Sequence, residues 1–258
     1  MDTVFPVPIA DGSNVSNKLL RLLPDAERRR LYPHLNFRPV RRRQILYKSG
    51  QPMDEVFFPE NVVCSVVCTM DNGAGVEIAM TGPEGVIGIG PFIGATEIFG
   101  DVLSHTTGEG FALSTNIFQR EAERRGAFHD LMNWYSLTFI TDAMQLAACN
   151  VLHSGIERAS RWLLMMADRA GSADCPLTHD GLALMLGLRR ATVTVILASL
   201  TNRGILRTFR GGVRIVDRRT LVAVACECYR NAFGDRQFGW PNHNFDHPRV
   251  VVDAQMRA

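Results

Sequence analysis

The chain has 258 residues, 46% of them apolar and 21% charged, with a formal net charge of +2. Disordered chains and membrane-embedded ones each push one of these fractions to an extreme, so both classes are excluded overall, and the length suits two domains with a core apiece. No apolar stretch reaches the roughly 20 residues that a membrane helix needs, and the N-terminal run MDTVFPVPIADGSNVSN lacks the basic start and apolar run of a secretion signal. A cytoplasmic protein with no membrane partner is expected.

In chain order, Leu19, Leu20, Leu22, Leu23 and Leu31 predict a short helix over 17–34, with Pro24 opening its second part. From about 37 to 118 short runs rich in Val, Ile and Phe are punctuated by Ser49-Gly50, Asn72-Gly73, Gly82-Pro83 and Gly94, the texture of strands and turns. Asn72-Gly73, between CSVVCTM and VEIAM, predicts a hairpin whose turn needs positive φ. The turn spacing predicts an antiparallel roll of about eight strands.

Residues 128–152 contain neither Gly nor Pro, and apolar or small residues recur every three or four positions, which predicts one long helix. Its only formal charges are Asp130 and Asp142, so it is expected to bury a face against the roll or a second copy. The row Leu131, Trp134, Leu137, Thr141, Met144, Ala148 and Val151 is the expected homodimer seam. Ser154-Gly155-Ile156-Glu157 is a capping box that opens a further helix, with Arg158, Arg161 and Arg169 off its apolar face. GSADCP at 171–176 reads as a loop. The tail 234–258, with His243 and His247, shows no period and reads as loosely attached rather than as a metal site. Cys64, Cys68, Cys149, Cys175, Cys226 and Cys228 include no CxxC pair, so reduced, packed thiols are expected, with no metal and no cofactor.

Charge is unevenly spread. Residues 188–219 hold eight arginines (Arg189, Arg190, Arg203, Arg207, Arg210, Arg214, Arg218, Arg219) against Asp217 alone, so a polyanion is expected to dock there. In the same region Leu182, Leu184, Met185 and Leu186 mark a short helix closed by Gly187. Ala191, Val193, Val195, Ile196, Leu197 and Leu200 mark a second, together a helix-turn-helix. Thr178, Arg189, Arg190, Thr192 and Thr194 stand where a recognition helix and its partner reach bases and phosphates. The runs GILRTFR and VRIV flank Gly211-Gly212, a hairpin wing whose Arg207, Arg210 and Arg214 suit phosphates.

The stretch LTHDGLALMLGLRRATVT at 177–194 resembles the DNA-binding half of the Crp-Fnr family of bacterial regulators. QILYKSG at 44–50, VFFP at 56–59 and GVIGIG at 85–90 resemble that family's cyclic-nucleotide-type jelly roll. The resemblance implies an α+β chain: an antiparallel β-roll over 15–127, a dimerisation helix over 128–152, a winged helix-turn-helix over 153–233 and a flexible tail over 234–258. It implies double-stranded DNA and a second copy as partners, with RNA polymerase as a further one. Two departures bear on the effector. Gly88 is followed by Ile89 where cyclic-nucleotide binders of the family carry Gly-Glu, and no Lys or Arg occurs between Lys48 and Arg120. A buried phosphate without a cation is costly, so cyclic AMP and cyclic GMP are not expected to bind, and the small-molecule effector is unknown. No HExxH, GxSxG or Walker loop is present, so no enzyme activity is expected. The alternative is a protein-interaction module that uses its winged domain on a protein partner.

Overall fold

The structure, a computed structural model, describes residues 15–233. The tail with His243 and His247 lies outside the described residues. Asn17 caps α1 (Lys18–Leu22), its side chain accepting from the Leu20 amide, and Pro24 precedes α2 (Asp25–Leu31). The roll follows: β1 (Asn36–Val40), β2 (Ile45–Tyr47), β3 (Glu55–Pro59), β4 (Cys64–Thr69), β5 (Gly75–Thr81), β6 (Asp101–Ser104) and β7 (Gly108–Ser114). All pairings are antiparallel, in sheets ordered β1-β7-β3 and β2-β6-β4-β5. Seven strands form here among the described residues, against the expected eight or so. The apolar run VIGIG at 86–90 makes only the bridge Phe57↔Ile87 before a 3-10 turn over Gly90–Ile93. The hairpin at Asn72-Gly73 forms as expected. Val40, Phe57 and Ala112 of one sheet meet Leu46, Cys64 and Val102 of the other inside the roll.

After α3 (Thr115–Glu123) comes the long helix α4 (Ala127–Leu152). Gly126 brings no capping side chain, and Glu27 of α2 takes over. Its carboxylate accepts from the Ala127 amide at 2.8 Å and the Phe128 amide at 2.6 Å, placing negative charge where the helix N-terminus favours it. Phe128, Leu131, Met132 and Tyr135 then pack with Leu19, Leu20 and Phe118.

The Glu157 carboxylate accepts from the Ser154 amide and hydroxyl at 2.8 and 2.6 Å, which opens α5 (Gly155–Ala170) as the capping pattern predicts. The chain continues through β8 (Asp174–Pro176), α6 (His179–Leu186), α7 (Arg190–Asn202), β9 (Leu206–Phe209), β10 (Gly212–Ile215), α8 (Arg218–Val224) and α9 (Cys228–Phe233). The segment 171–176, read from sequence as a loop, contains β8 because Cys175 is buried and pairs with Val213 in a sheet ordered β8-β10-β9.

Residues 158–167 of α5 are all buried, Arg158 and Arg161 included. The helix is covered by the roll on one side and by the C-terminal elements on the other. Val63, Val67 and Met80 of the roll share one core with Trp162, Leu182, Val193 and Leu221, where two separate cores were expected. A polar network threads this junction. Trp162 Nε1 donates to the Glu77 carboxylate at 2.9 Å, the Ser65 hydroxyl donates to the same carboxylate, and His105 Nε2 lies 2.7 Å from Ser65 Oγ. Burial raises the Glu77 carboxyl above its ordinary range and lowers the His105 imidazole to about 4. No single helix among the described residues is long and apolar enough to cross a membrane.

Candidate nucleic-acid interface

Thr178 caps α6, its hydroxyl accepting from the Gly181 amide at 3.0 Å. The helix stops at Gly187, whose φ of +60° and whose nearness to the Val76 side chain (3.3 Å from where a Cβ would stand) favour glycine. Leu188 and Arg189 complete the turn, and α7 starts at Arg190.

Helix α7 inserts Val193, Ile196, Leu197 and Leu200 into the shared core. Its spacing leaves Arg190, Ala191, Thr194, Val195 and Ala198 along the opposite, exposed row, with Thr192 exposed on the flank and Arg189 exposed at the cap. Val195, counted from sequence among the apolar marks of the helix, is 68% exposed and belongs to this outer row. Two residues to which the sequence pattern assigns no role complete the surface. His179 Nδ1 sits 2.8 Å from Thr194 Oγ1, which itself donates to the Arg190 carbonyl, and Asp180 lies 3.3 Å from Arg190 Nη1. Their signal was position: both stand in the first turn of α6, directly after the capping Thr178.

In the wing, Phe209 pairs with Gly212, so the two turn residues are Arg210 and Gly211 rather than Gly211-Gly212. Gly211, at φ +87°, supplies the positive φ that such a turn needs, and Arg210 is carried at the tip. Arg207 and Arg210 are exposed. Arg214, expected to face phosphate with them, is held by Asp174 through two bonds of 2.5 and 2.6 Å across the β8–β10 pair. Arg218 likewise bonds Asp168 and the Tyr229 hydroxyl, each at 2.6 Å. The acids that pair with Arg190, Arg214 and Arg218 are Asp180, Asp174 and Asp168, all just upstream of the arginine-rich stretch. The wing tip also touches the roll, Arg42 Nη2 donating to the Gly211 carbonyl at 3.3 Å.

On α4, the residues read as a dimer seam separate into three sets. Leu131 is buried in this chain's own core, so it offers nothing to a partner. Trp134 and Thr141 are half-buried and line a cleft between α4 and β5. Leu137, Met144, Ala148 and Val151 are exposed, and Ile140 and Ala147, outside the expected row, join them. The steps Leu137, Ile140, Met144, Ala147 and Val151 alternate three and four residues.

Inside the roll, beside α4, is a cavity of about 250 Å³ lined by Tyr47, Met53, Ile89, Ile98, Phe99 and Phe139 among others. None of its lining residues is a Lys or Arg, and Glu97 is its one formally charged member.

Residues 157–224 match the family model for the Crp-like helix-turn-helix domain. No curated protein matches the chain by sequence. Among solved structures, a Eubacterium rectale protein assigned to the crp/fnr family of transcriptional regulators is 16% identical, covering 80% of this chain and 97% of its own, with a TM-score of 0.65. FixK2 from Bradyrhizobium japonicum is 16% identical over 74% of this chain and 98% of its own, also at 0.65. CLP, a c-di-GMP responsive global regulator from Xanthomonas campestris, is 16% identical over 71% and 95%, at 0.59. At such identities the likeness is one of fold. The chain thus shares the fold of these regulators over most of its length, and its residues 157–224 belong to the Crp-like helix-turn-helix domain.

Proposed function

We propose that the protein is a homodimeric, cytoplasmic, sequence-specific DNA-binding regulator that does not answer to cyclic AMP. In this reading 15–127 is the sensory roll, 128–152 the dimer helix and 153–233 the DNA-binding unit. The observation that carries it is the outer row of α7, in which Arg190 and Thr194 stand uncovered at the start of a helix within a matched helix-turn-helix domain. Ala191, Val195 and Ala198 give the same row methyl groups, which suit the C5-methyl of thymine, so half-sites containing a T opposite these positions are favoured. Arg207 and Arg210 contact phosphate.

The exposed alternating row on α4 supports pairing with a second copy, which would set two recognition helices roughly 34 Å apart. The cation-free cavity supports the view that a cyclic nucleotide phosphate has no partner in the roll.

Selection from a randomised duplex pool with the full chain tests this reading. The expected outcome is an inverted repeat, bound by a species that sediments as a dimer, with Leu137→Asp giving a monomer that loses the repeat. Calorimetry with cyclic AMP is expected to show only heat of dilution. A pool that shows no enrichment, with the chain retained on a protein column instead, would favour the interaction-module reading.

A further inference from the structure

Four side chains converge where the end of α4 meets the turn between α8 and α9. Cys149 lies in the last turn of α4, His153 caps it, Cys226 lies in the turn and Cys228 opens α9. Their donor atoms all lie within 4.8 Å of one another. Cys149 Sγ and Cys226 Sγ are 3.6 Å apart, as are Cys228 Sγ and His153 Nδ1.

The two 3.6 Å spacings match the edges of a coordination tetrahedron. Bonds of about 2.3 Å to sulfur and 2.0–2.1 Å to nitrogen give S···S edges of about 3.8 Å and S···N edges of about 3.6 Å. A disulfide would hold its sulfurs at about 2.05 Å. The surroundings are arranged as around a metal. His153 turns Nδ1 toward the sulfurs while Nε2 lies 3.2 Å from the Glu227 carboxylate, the outer partner that fixes a ligating imidazole. Gln145 Nε2 donates to Cys228 Sγ at 3.1 Å.

Charge supplies an independent argument. Arg158 and Arg161 are 7% and 5% exposed, and their charges act on Cys149. Among the described residues their Nε atoms have no hydrogen-bond partner, and their remaining bonds go only to the Leu186 carbonyl and the Met165 sulfur. Neither guanidinium bonds a carboxylate, Glu77 acting on Arg161 only through space, so a further negative group nearby would balance them. Three thiolates and a neutral imidazole around a divalent ion carry a net charge of minus one.

We propose that Cys149, His153, Cys226 and Cys228 form a closed tetrahedral zinc site that fastens the end of the dimer helix to the last helices of the winged domain. Four protein donors leave no open position, so the ion is structural. The soft sulfur donors with one imidazole select zinc over magnesium or calcium. Cys149, His153, Cys226 and Cys228 all lie outside 157–224, so the site is additional to the matched domain. It rests on neither DNA recognition nor the choice of operator.

The test is metal analysis of the full chain, isolated under reducing, oxygen-free conditions. One zinc per chain is expected, together with intense visible ligand-field bands when cobalt(II) replaces it, as tetrahedral thiolate sites give. Cys226→Ser and Cys228→Ser should lose the ion, and Cys68→Ser, in the roll, should keep it. If the cluster variants do not fold, the wild-type stoichiometry and cobalt spectrum decide alone. Substoichiometric metal with a weak, octahedral cobalt spectrum, an iron-sulfur absorption, or a Cys149–Cys226 disulfide in the freshly isolated protein would each overturn the assignment.

Discussion

The arginines of α5 and those of the wing carry the same charge into opposite surroundings. Arg158 and Arg161 are buried between the roll and the C-terminal elements, where any charge must be balanced within a few ångströms. Arg207 and Arg210 stand in water on a hairpin, where charge costs little and remains available to a polyanion. The same contrast holds for the acids. Glu77 is enclosed by Ser65 and Trp162, whereas Asp174 and Asp180 are exposed beside arginines of the DNA-binding unit. Buried polar groups therefore join roll to winged domain, and exposed ones set what the surface offers to DNA.

The largest expected effect is at the buried junction. Trp162 is 1% exposed, packs edge-on to His105 and bonds Glu77, so Trp162→Ala removes a large apolar group and leaves the carboxyl short of a donor. A loss of about 3–5 kcal/mol is expected in urea unfolding followed by circular dichroism. Because one core spans both regions, the transition should stay single in the wild type. Two separated transitions, with only the second moved by the variant, would break the comparison by showing that the roll folds without α5.

Acid should act next most strongly, through His105. Burial lowers its imidazole to about 4, so between that value and the ordinary 6.5 the unfolded chain binds the proton and the folded chain does not. Stability contributed by the neutral ring is complete above 6.5 and is lost as pH falls through this window, by up to about 3 kcal/mol. Glu77 acts with the opposite sign. Its carboxyl is raised, so it favours the folded chain at lower pH and costs stability as pH rises above the ordinary carboxylate range. Comparing wild type with His105→Gln at each pH isolates the histidine, and the variant should lose less on acidification. Parallel pH profiles would mean that the ring is solvated.

How much of this was legible in the sequence follows the same division. The elements of the helix-turn-helix domain could be read because helix starts and Gly187 are local signals, although the wing turn falls one residue earlier than Gly211-Gly212 suggests. The pairing of Arg214 with Asp174 could not, since β8 is three residues long and becomes a strand only by docking on β10. On α4 the helix forms as its period predicts, but Leu131 of the row read as a seam is turned into the chain's own core. A helix apolar nearly all round offers several rows at the same spacing, and only the packing of Leu131 and Trp134 shows which rows the chain uses itself. The cluster of Cys149, His153, Cys226 and Cys228 was the least legible, because more than seventy residues separate its two halves. Cys226-Glu227-Cys228 was its one local trace.

The smallest effects concern the exposed arginines, and here the pairing sharpens what counting could not. If Arg190 reads a base edge, exchanging its ion pair with Asp180 for that contact, Arg190→Ala should cost about 1–3 kcal/mol on the selected operator and flatten preference at one position in each half-site. If Arg210, at the wing tip, meets only phosphate, Arg210→Ala should weaken specific and nonspecific duplexes alike and reduce the salt slope by about one unit for each phosphate left unneutralised in each subunit's half-site. Arg214 has the same charge and sits four residues away, yet both of its bonded nitrogens are engaged by Asp174. Arg214→Ala should leave the salt slope as it was, and the unfolding midpoint nearly so, because an exposed pair is screened by water. A binding series over salt for the three variants beside wild type separates these cases. A slope reduced as much by Arg214→Ala as by Arg210→Ala would show that DNA displaces Asp174, and that the wing opens its own ion pair when it binds.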